Sequence, residues 1–204
     1  MAAFDFGTDY TLENEVALLR PLVSNDHTRL LPFALNEPEL WTYSMVSAAG
    51  HDGLENYLAY AIAERKSCRQ YPFVVFDKRV GQYAGCTRFY DIRLAEQTLQ
   101  LGYTWYGTQF QRTGLNRHCK YLLLQFAFER MEMQRVEFRA DNDNQRSIAA
   151  MKAIGCHEEG VLRSNGKRPD GSRRDSIVLS ILRSEWFDTV EASLKNKIYL
   201  YGNR

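Results

Sequence analysis

No run in this 204-residue chain comes near the ~20 consecutive apolar residues that a membrane-crossing helix needs, so no transmembrane segment is expected. The opening residues Met1, Ala2, Ala3, Phe4 and Asp5 lack a basic stretch followed by an apolar one, and they do not read as a secretory signal. Cysteine is scarce. Cys68, Cys86, Cys119 and Cys156 are scattered without a CxxC pair, which points to reduced, mostly buried thiols in a cytoplasmic protein rather than to a disulfide frame or a zinc site. No metal is expected. Net charge is scarce too: a formal +1 gives no broad field for gripping a nucleic-acid backbone or an anionic membrane, so any anion site must be local. With only five prolines, no repeat and no low-complexity linker, a single domain over residues 1–204 is expected. Its core should run from about 16 to 186, with a helical tail over 184–204.

The chain is rich enough in apolar residues, at 45%, to bury a real core. A first strand is expected at Val16–Leu22, with helical character to about Leu40. Leu54, Tyr57, Leu58, Ala61 and Ile62 then fall on one face of a helix capped near Asp52. Three strand-like runs follow: Tyr71–Phe76, Gln82–Tyr90 and Leu99–Tyr106, an antiparallel meander. The loop Gly107–Gly114 leads into an amphipathic helix, Leu115–Met131, with Leu115, Cys119, Leu122, Leu123, Phe126 and Met131 on its apolar face and Arg117, Lys120 and Glu129 away from it. A strand at Arg135–Ala140, a helix at Asn144–Ala153 and a hairpin of Cys156–Leu162 with Arg174–Leu182 complete the order, the hairpin turning at Pro169-Asp170-Gly171. Ser184 and Glu185 begin a terminal helix. Strands grouped early and a later strand–helix–strand crossover predict a mixed α/β sheet of the α+β type, with one parallel pair.

Chemistry concentrates at Gln111-Arg112-Thr113-Gly114-Leu115-Asn116, between a strand and a long helix. Main-chain N–H groups at such a junction lack helical acceptors, and the helix dipole favours an anion there. Gly114 would let a diphosphate approach the backbone closely. The same residues also suit an ordinary loop before a helix.

In order along the chain, this segment resembles the acetyl-CoA loop of the Gcn5-related N-acetyltransferases, with Gln111 and Gly114 matching and Asn116 standing where glycine or alanine is commoner. Leu101-Gly102-Tyr103-Thr104-Trp105 is similar to the family's cofactor strand. Asn144-Gln145-Arg146-Ser147 with Ile154-Gly155-Cys156 is similar to its Asn-x-x-Ser helix and the turn after it. Glu159-Gly160-Val161-Leu162-Arg163, Asp170-Gly171, Asp175 and Ser184-Glu185-Trp186 resemble its C-terminal end. The branch the chain most resembles is that of the ribosomal-protein alanine and serine N-acetyltransferases.

The resemblance implies a twisted, mostly antiparallel sheet whose central parallel pair splays around an acyl-CoA site, with helices on both faces. It implies acetyl-CoA as cosubstrate and a primary-amine acceptor, and it is compatible with a homodimer. Tyr103, Thr104 and Trp105 would carry the pantetheine on their free strand edge. The amides from Gln111 to Asn116 would hold the diphosphate, and Asn144 would bond the pantetheine arm, cap its helix, or do both. Ser147 would protonate the departing thiolate, or simply pack as a small helix residue. Gln100 stands where the branch often carries a glutamate base; glutamine cannot take a proton, which favours amines of low pKa deprotonated through water. Asp91, Glu96 and Glu137 read as solvated charges, Cys119 as core, His118 as an exposed helix residue, and Lys167, Arg168, Arg173 and Arg174 as a solvated hairpin tip that could still meet an acidic substrate; Arg117 and Lys120 could reach cofactor phosphates or equally be solvated. Trp41, Tyr43 and Met45 either pack or line an acceptor pocket. A small-amine acceptor, a non-catalytic acyl-CoA-binding module and, more remotely, a nucleic-acid-binding protein are the competing functions.

Overall fold

The computed structural model describes residues 4–168 and 170–202 and arranges eight strands in one mixed sheet. In chain order the elements are β1 (Leu12–Glu13), β2 (Ala17–Pro21), α1 (His27–Asn36), α2 (Gly50–Lys66), β3 (Gln70–Asp77), β4 (Gln82–Arg93), β5 (Thr98–Tyr106), α3 (Leu115–Gln125), β6 (Arg135–Asp141), α4 (Gln145–Ala153), β7 (His157–Lys167), β8 (Arg173–Leu182), α5 (Arg183–Glu185) and α6 (Glu191–Gly202). Across the sheet the order is β1-β2-β3-β4-β5-β6-β8-β7. Every pair is antiparallel except β5 with β6. The expected mixed sheet with one parallel pair is what forms.

Period-2 alternation sends neighbouring side chains to opposite faces. One face of the sheet receives α1 and α2: Trp105 meets Phe33 of α1 at 5.9 Å and Trp41 at 5.5 Å, while Arg88 of β4 lies over the Tyr57 ring of α2. The other face receives α3 and the π-turn Phe126–Arg130 that continues it, where Phe89 stacks on Phe126 at 6.3 Å. Helices therefore cover both faces, and the buried side chains form one continuous core.

Several boundaries differ from the sequence expectation. The helix expected over Leu115–Met131 is α-helical only to Gln125, and the π-turn then widens it before β6. The helix placed near Asp52 starts at Gly50 with Ala49 as its N-cap, so Asp52 sits in the first turn without capping through its side chain. The closing hairpin is longer than Cys156–Leu162 suggested, because β7 runs to Lys167 with register shifts in its pairing to β8. Pro169 of its turn lies outside the described residues, as do residues 1–3 and the last two of the expected tail.

At Gly85 the sheet admits no side chain. A Cβ there would collide with the Trp105 carbonyl oxygen, a backbone atom that cannot step aside. Gly85→Ala should force β4 from β5 and cost about 1–3 kcal/mol, measured as a drop in the urea unfolding midpoint; an unchanged midpoint would show that the strands yield freely.

Candidate active site

Pairing between β5 and β6 spans only Thr98↔Arg135, Leu99↔Val136 and Gln100↔Glu137. Beyond Gln100 the strands part, β5 keeping only β4 and β6 keeping only β8. A bulge in β5 accompanies the parting. Gly102 pairs with Arg88 and Trp105 with Cys86, so Tyr103 and Thr104 together oppose Thr87. Tyr103 takes a left-handed φ of 49°, and an extra residue of this kind bends and twists its strand. The opening is a cleft of about 620 Å³ that reaches from the start of α3 to the segment between α1 and α2.

At one end lies the turn into α3. Gly114 adopts φ 88° and Arg112 φ 62°, conformations that swing the main chain around the turn. Among the described residues, the amides of Arg112, Thr113, Gly114 and Asn116 donate to no protein acceptor. Arg112, Arg117 and Arg146 border the same end, adding positive charge to the helix N-terminus. Gln111 braces the opening: its Nε2 donates to the Tyr106 carbonyl at 2.9 Å, and its Oε1 accepts from Arg146 Nη1 of α4 at 2.7 Å. Two of the expected cofactor residues turn their side chains elsewhere. Leu115 is fully buried in the core, and Thr113 donates through its hydroxyl to the Phe110 carbonyl at 2.7 Å while its own carbonyl accepts from Arg79.

In the middle, Trp105 presents its backbone at the parted edge while its ring goes to the α1 side. Thr104 faces α3, and there Lys120 Nζ donates to its Oγ1 at 3.0 Å. The sequence left Lys120 either solvated or within reach of the cofactor; it is only 5% exposed and lines the cleft. Burial pushes its pKa down to about 8, and no described carboxylate pairs with it. The signal was available: Lys120 lies four residues after Asn116 and three before Leu123, on the helix face shared by the turn and the core. Asn144 caps α4, accepting from the Ser147 amide at 3.1 Å, and also lines the cleft. Ser147 is half-buried on the same wall, and its hydroxyl bonds to no protein group among the described residues.

At the far end Gln100 is buried, donating from Nε2 to Asp91 Oδ2 at 2.9 Å, while its Oε1 has no partner. Asp91 itself lines the cleft and also accepts from Arg93. Tyr43 and Met45 are exposed along the cleft, whereas Trp41 packs at 2% exposure. Three other expectations fail for one reason, partners brought from distant segments. His118 is buried against Asn14, 3.1 Å away, and burial holds its pKa below the ordinary value. Arg168 forks onto the buried Asp141 at 2.6 and 2.8 Å, and Arg174 is buried on the cleft wall; neither is a solvated hairpin tip. Cys119 is core, as expected, and desolvation raises its thiol to about 12, which removes it as a nucleophile.

Comparisons with known proteins identify the family and the fold. The family model described as Acetyltransferase (GNAT) domain matches residues 17–157. YdaF of Bacillus subtilis (strain 168), described as a ribosomal N-acetyltransferase, is 29% identical over 106 residues, which cover 52% of this chain and 57% of that protein. The match thus spans little more than half the length of that relative. A crystal structure from T. thermophilus, described as an acetyltransferase, is 30% identical with a TM-score of 0.84, covering 98% of this chain and 100% of that one. RimJ of Mycobacterium smegmatis, solved in complex with CoA-disulfide, shares the fold at 20% identity and a TM-score of 0.78, over 93% of each chain.

The buried lysine carries a measurable cost. Its folded pKa of about 8 lies below the ordinary 10.5, so between those values the unfolded chain holds a proton that the folded chain has released, and stability rises with pH through that window. Below it the folded protein bears an unpaired buried charge. Lys120→Met should therefore be more stable than the parent at pH 7, by roughly 1–3 kcal/mol, with the gap narrowing as pH climbs through the window. Urea unfolding of both proteins across that range decides it; a variant less stable at neutral pH would contradict the account.

Proposed function

The chain belongs to the Acetyltransferase (GNAT) domain family, and from that premise we propose that it transfers an acetyl group from acetyl-CoA to a primary amine, above all the amino terminus of a protein or peptide. The observation that carries the reading is the parted β5–β6 pair with unpaired amides of the Gly114 turn at its mouth. A strand edge and a helix start left open together fit a ligand that has amides along its arm and a diphosphate at its end. The name of the relative YdaF, a ribosomal N-acetyltransferase, supports an acceptor amine carried by a protein.

Acetyl-CoA supplies an activated acyl group, and its thiol is a good leaving group. The protein supplies placement and protons. The amides of Arg112, Thr113, Gly114 and Asn116, helped by Arg112 and Arg117, hold the diphosphate. The backbone of Tyr103, Thr104 and Trp105 pairs with the pantetheine arm, and Asn144 keeps its amide nitrogen for that arm while its oxygen caps α4. Gln100 is fixed through Nε2 to Asp91, which leaves Oε1 free to accept from an N–H of the incoming amine. The amine's proton passes through water to Asp91, the carboxylate beside it on the cleft wall. Ser147, with an unengaged hydroxyl, donates to the departing thiolate, whose pKa near ~8.5 asks little of the acid.

No strong base stands on Gln100, so the acceptor's own pKa sets its usable fraction. About a tenth of an α-amine is neutral near pH 7, against well under one in a thousand for a lysine side chain. Incubation with acetyl-CoA and a panel of peptides, polyamines and aminoglycosides, with free thiol as the readout, should show the fastest release with free peptide N-termini. Equal release on lysine side chains would sink the amine preference, and tight acetyl-CoA binding without any release would make the chain a binding module. Ser147→Ala should lower kcat by about 10²-fold and leave acetyl-CoA affinity nearly unchanged; a large affinity loss would remove Ser147 from the chemistry.

A further inference from the structure

The far end of the cleft holds a second buried cation with no ion-pair partner among the described residues; Asp141, whose charge acts on it through space, is clasped by Arg168. Arg174 is 5% exposed and lines the cleft near the start of β8. Its Nε donates to Ser176 Oγ at 3.0 Å and its Nη1 to the Tyr43 carbonyl at 3.2 Å, both neutral acceptors. Among the described residues no carboxylate pairs with it, and Nη2 makes no hydrogen bond. The acids around it are engaged elsewhere. Asp141 is clasped by Arg168, Asp91 by Arg93 and Gln100, and Glu137 by Arg135 and Arg139.

A desolvated guanidinium without a counter-charge is costly, and unlike the enclosed Arg88 this one lies on the wall of a cleft that an anion can enter. Its planar fork suits a carboxylate, which would take the unused donors in charge-assisted hydrogen bonds. Its location selects whose carboxylate. Arg174 bonds to Tyr43 on the segment between α1 and α2, across the cleft from the Gly114 turn, where diphosphate charge would be met by other arginines. Asp91 and the free Oε1 of Gln100 on the same cleft offer the complementary feature, acceptors for an amine.

We propose that Arg174 is a specificity-determining residue that binds a carboxylate borne by the acceptor a few bonds from its amine. The preferred acceptors are then amines with a neighbouring carboxylate, supplied either by an acidic side chain close to a peptide N-terminus or by the free α-carboxylate of a small amino compound. This rests on the acetyl-transfer reading of the same cleft. Lysine at this position would keep the charge and lose the fork, and glutamine would lose both.

The test compares matched acceptors with acetyl-CoA and measures kcat/KM from thiol release. One arm sets C-terminally amidated peptides with aspartate or glutamate at the second position against their asparagine and glutamine counterparts. The other sets free amino acids and dipeptides against their amides. The wild-type protein should favour the carboxylate member of at least one arm by about tenfold or more, expressed in KM, and whichever arm discriminates names the source. Arg174→Gln should bring that ratio close to one, and Arg174→Lys should restore part of it, with acetyl-CoA affinity unchanged in both. Equal use of acid and amide by the wild-type protein overturns the proposal without reference to any variant. A ratio that survives in a folded Arg174→Gln protein overturns it as well. Absence of turnover on every acceptor would instead strike the acetyl-transfer reading beneath it.

Discussion

Pairing between β5 and β6 ends at Gln100↔Glu137, and the rest of the molecule is arranged around that interruption. Unpaired strand edges inside a protein are expensive, because each buried N–H or C=O without a partner costs about as much as a lost hydrogen bond. Here the interruption is built rather than suffered. The bulge at Tyr103 and Thr104 bends β5 while it stays hydrogen-bonded to β4, and β8 secures β6 from its other side through seven registered positions from Arg135 to Asp141. Gln111 then ties the β5 side to α4 through Tyr106 and Arg146. Both walls are thus held by neighbours, so the gap needs nothing across it to persist.

The electrostatics of the cleft follow from its walls. Three side chains that border it, Lys120, Arg174 and Gln100, are nearly buried yet carry unused hydrogen-bonding capacity or charge. Away from the cleft, buried carboxylates are neutralised by ion pairs: Asp26 by Arg20 and Arg29, and Asp77 by Arg79. That unused capacity suits the cleft to the binding role proposed for it. Arg88, outside it, is also fully buried without a carboxylate: it rests among the rings of Tyr57, Tyr60 and Tyr103 and donates from Nη1 to Gln70, while its Nε and Nη2 have no hydrogen-bond partner.

The sequence by itself determined the order of the elements, the turn at Gly114, the capping asparagine at Asn144 and the set of polar residues around them. Each of these is a local matter of periodicity, backbone freedom or a side chain reaching its own amides, and local physics is written in neighbouring residues. Only the tertiary structure decided which face each charged residue would meet. Lys120, His118, Arg168 and Arg174 all sit in stretches that look solvated on local composition, and all are covered or paired by segments far away in the chain: Thr104 of β5, Asn14, Asp141 and the Tyr43 loop. Placement of β8 between β6 and β7 was equally invisible, since a hairpin can add to a sheet by either of its strands, and the choice rests on side-chain packing between residues that no local pattern connects.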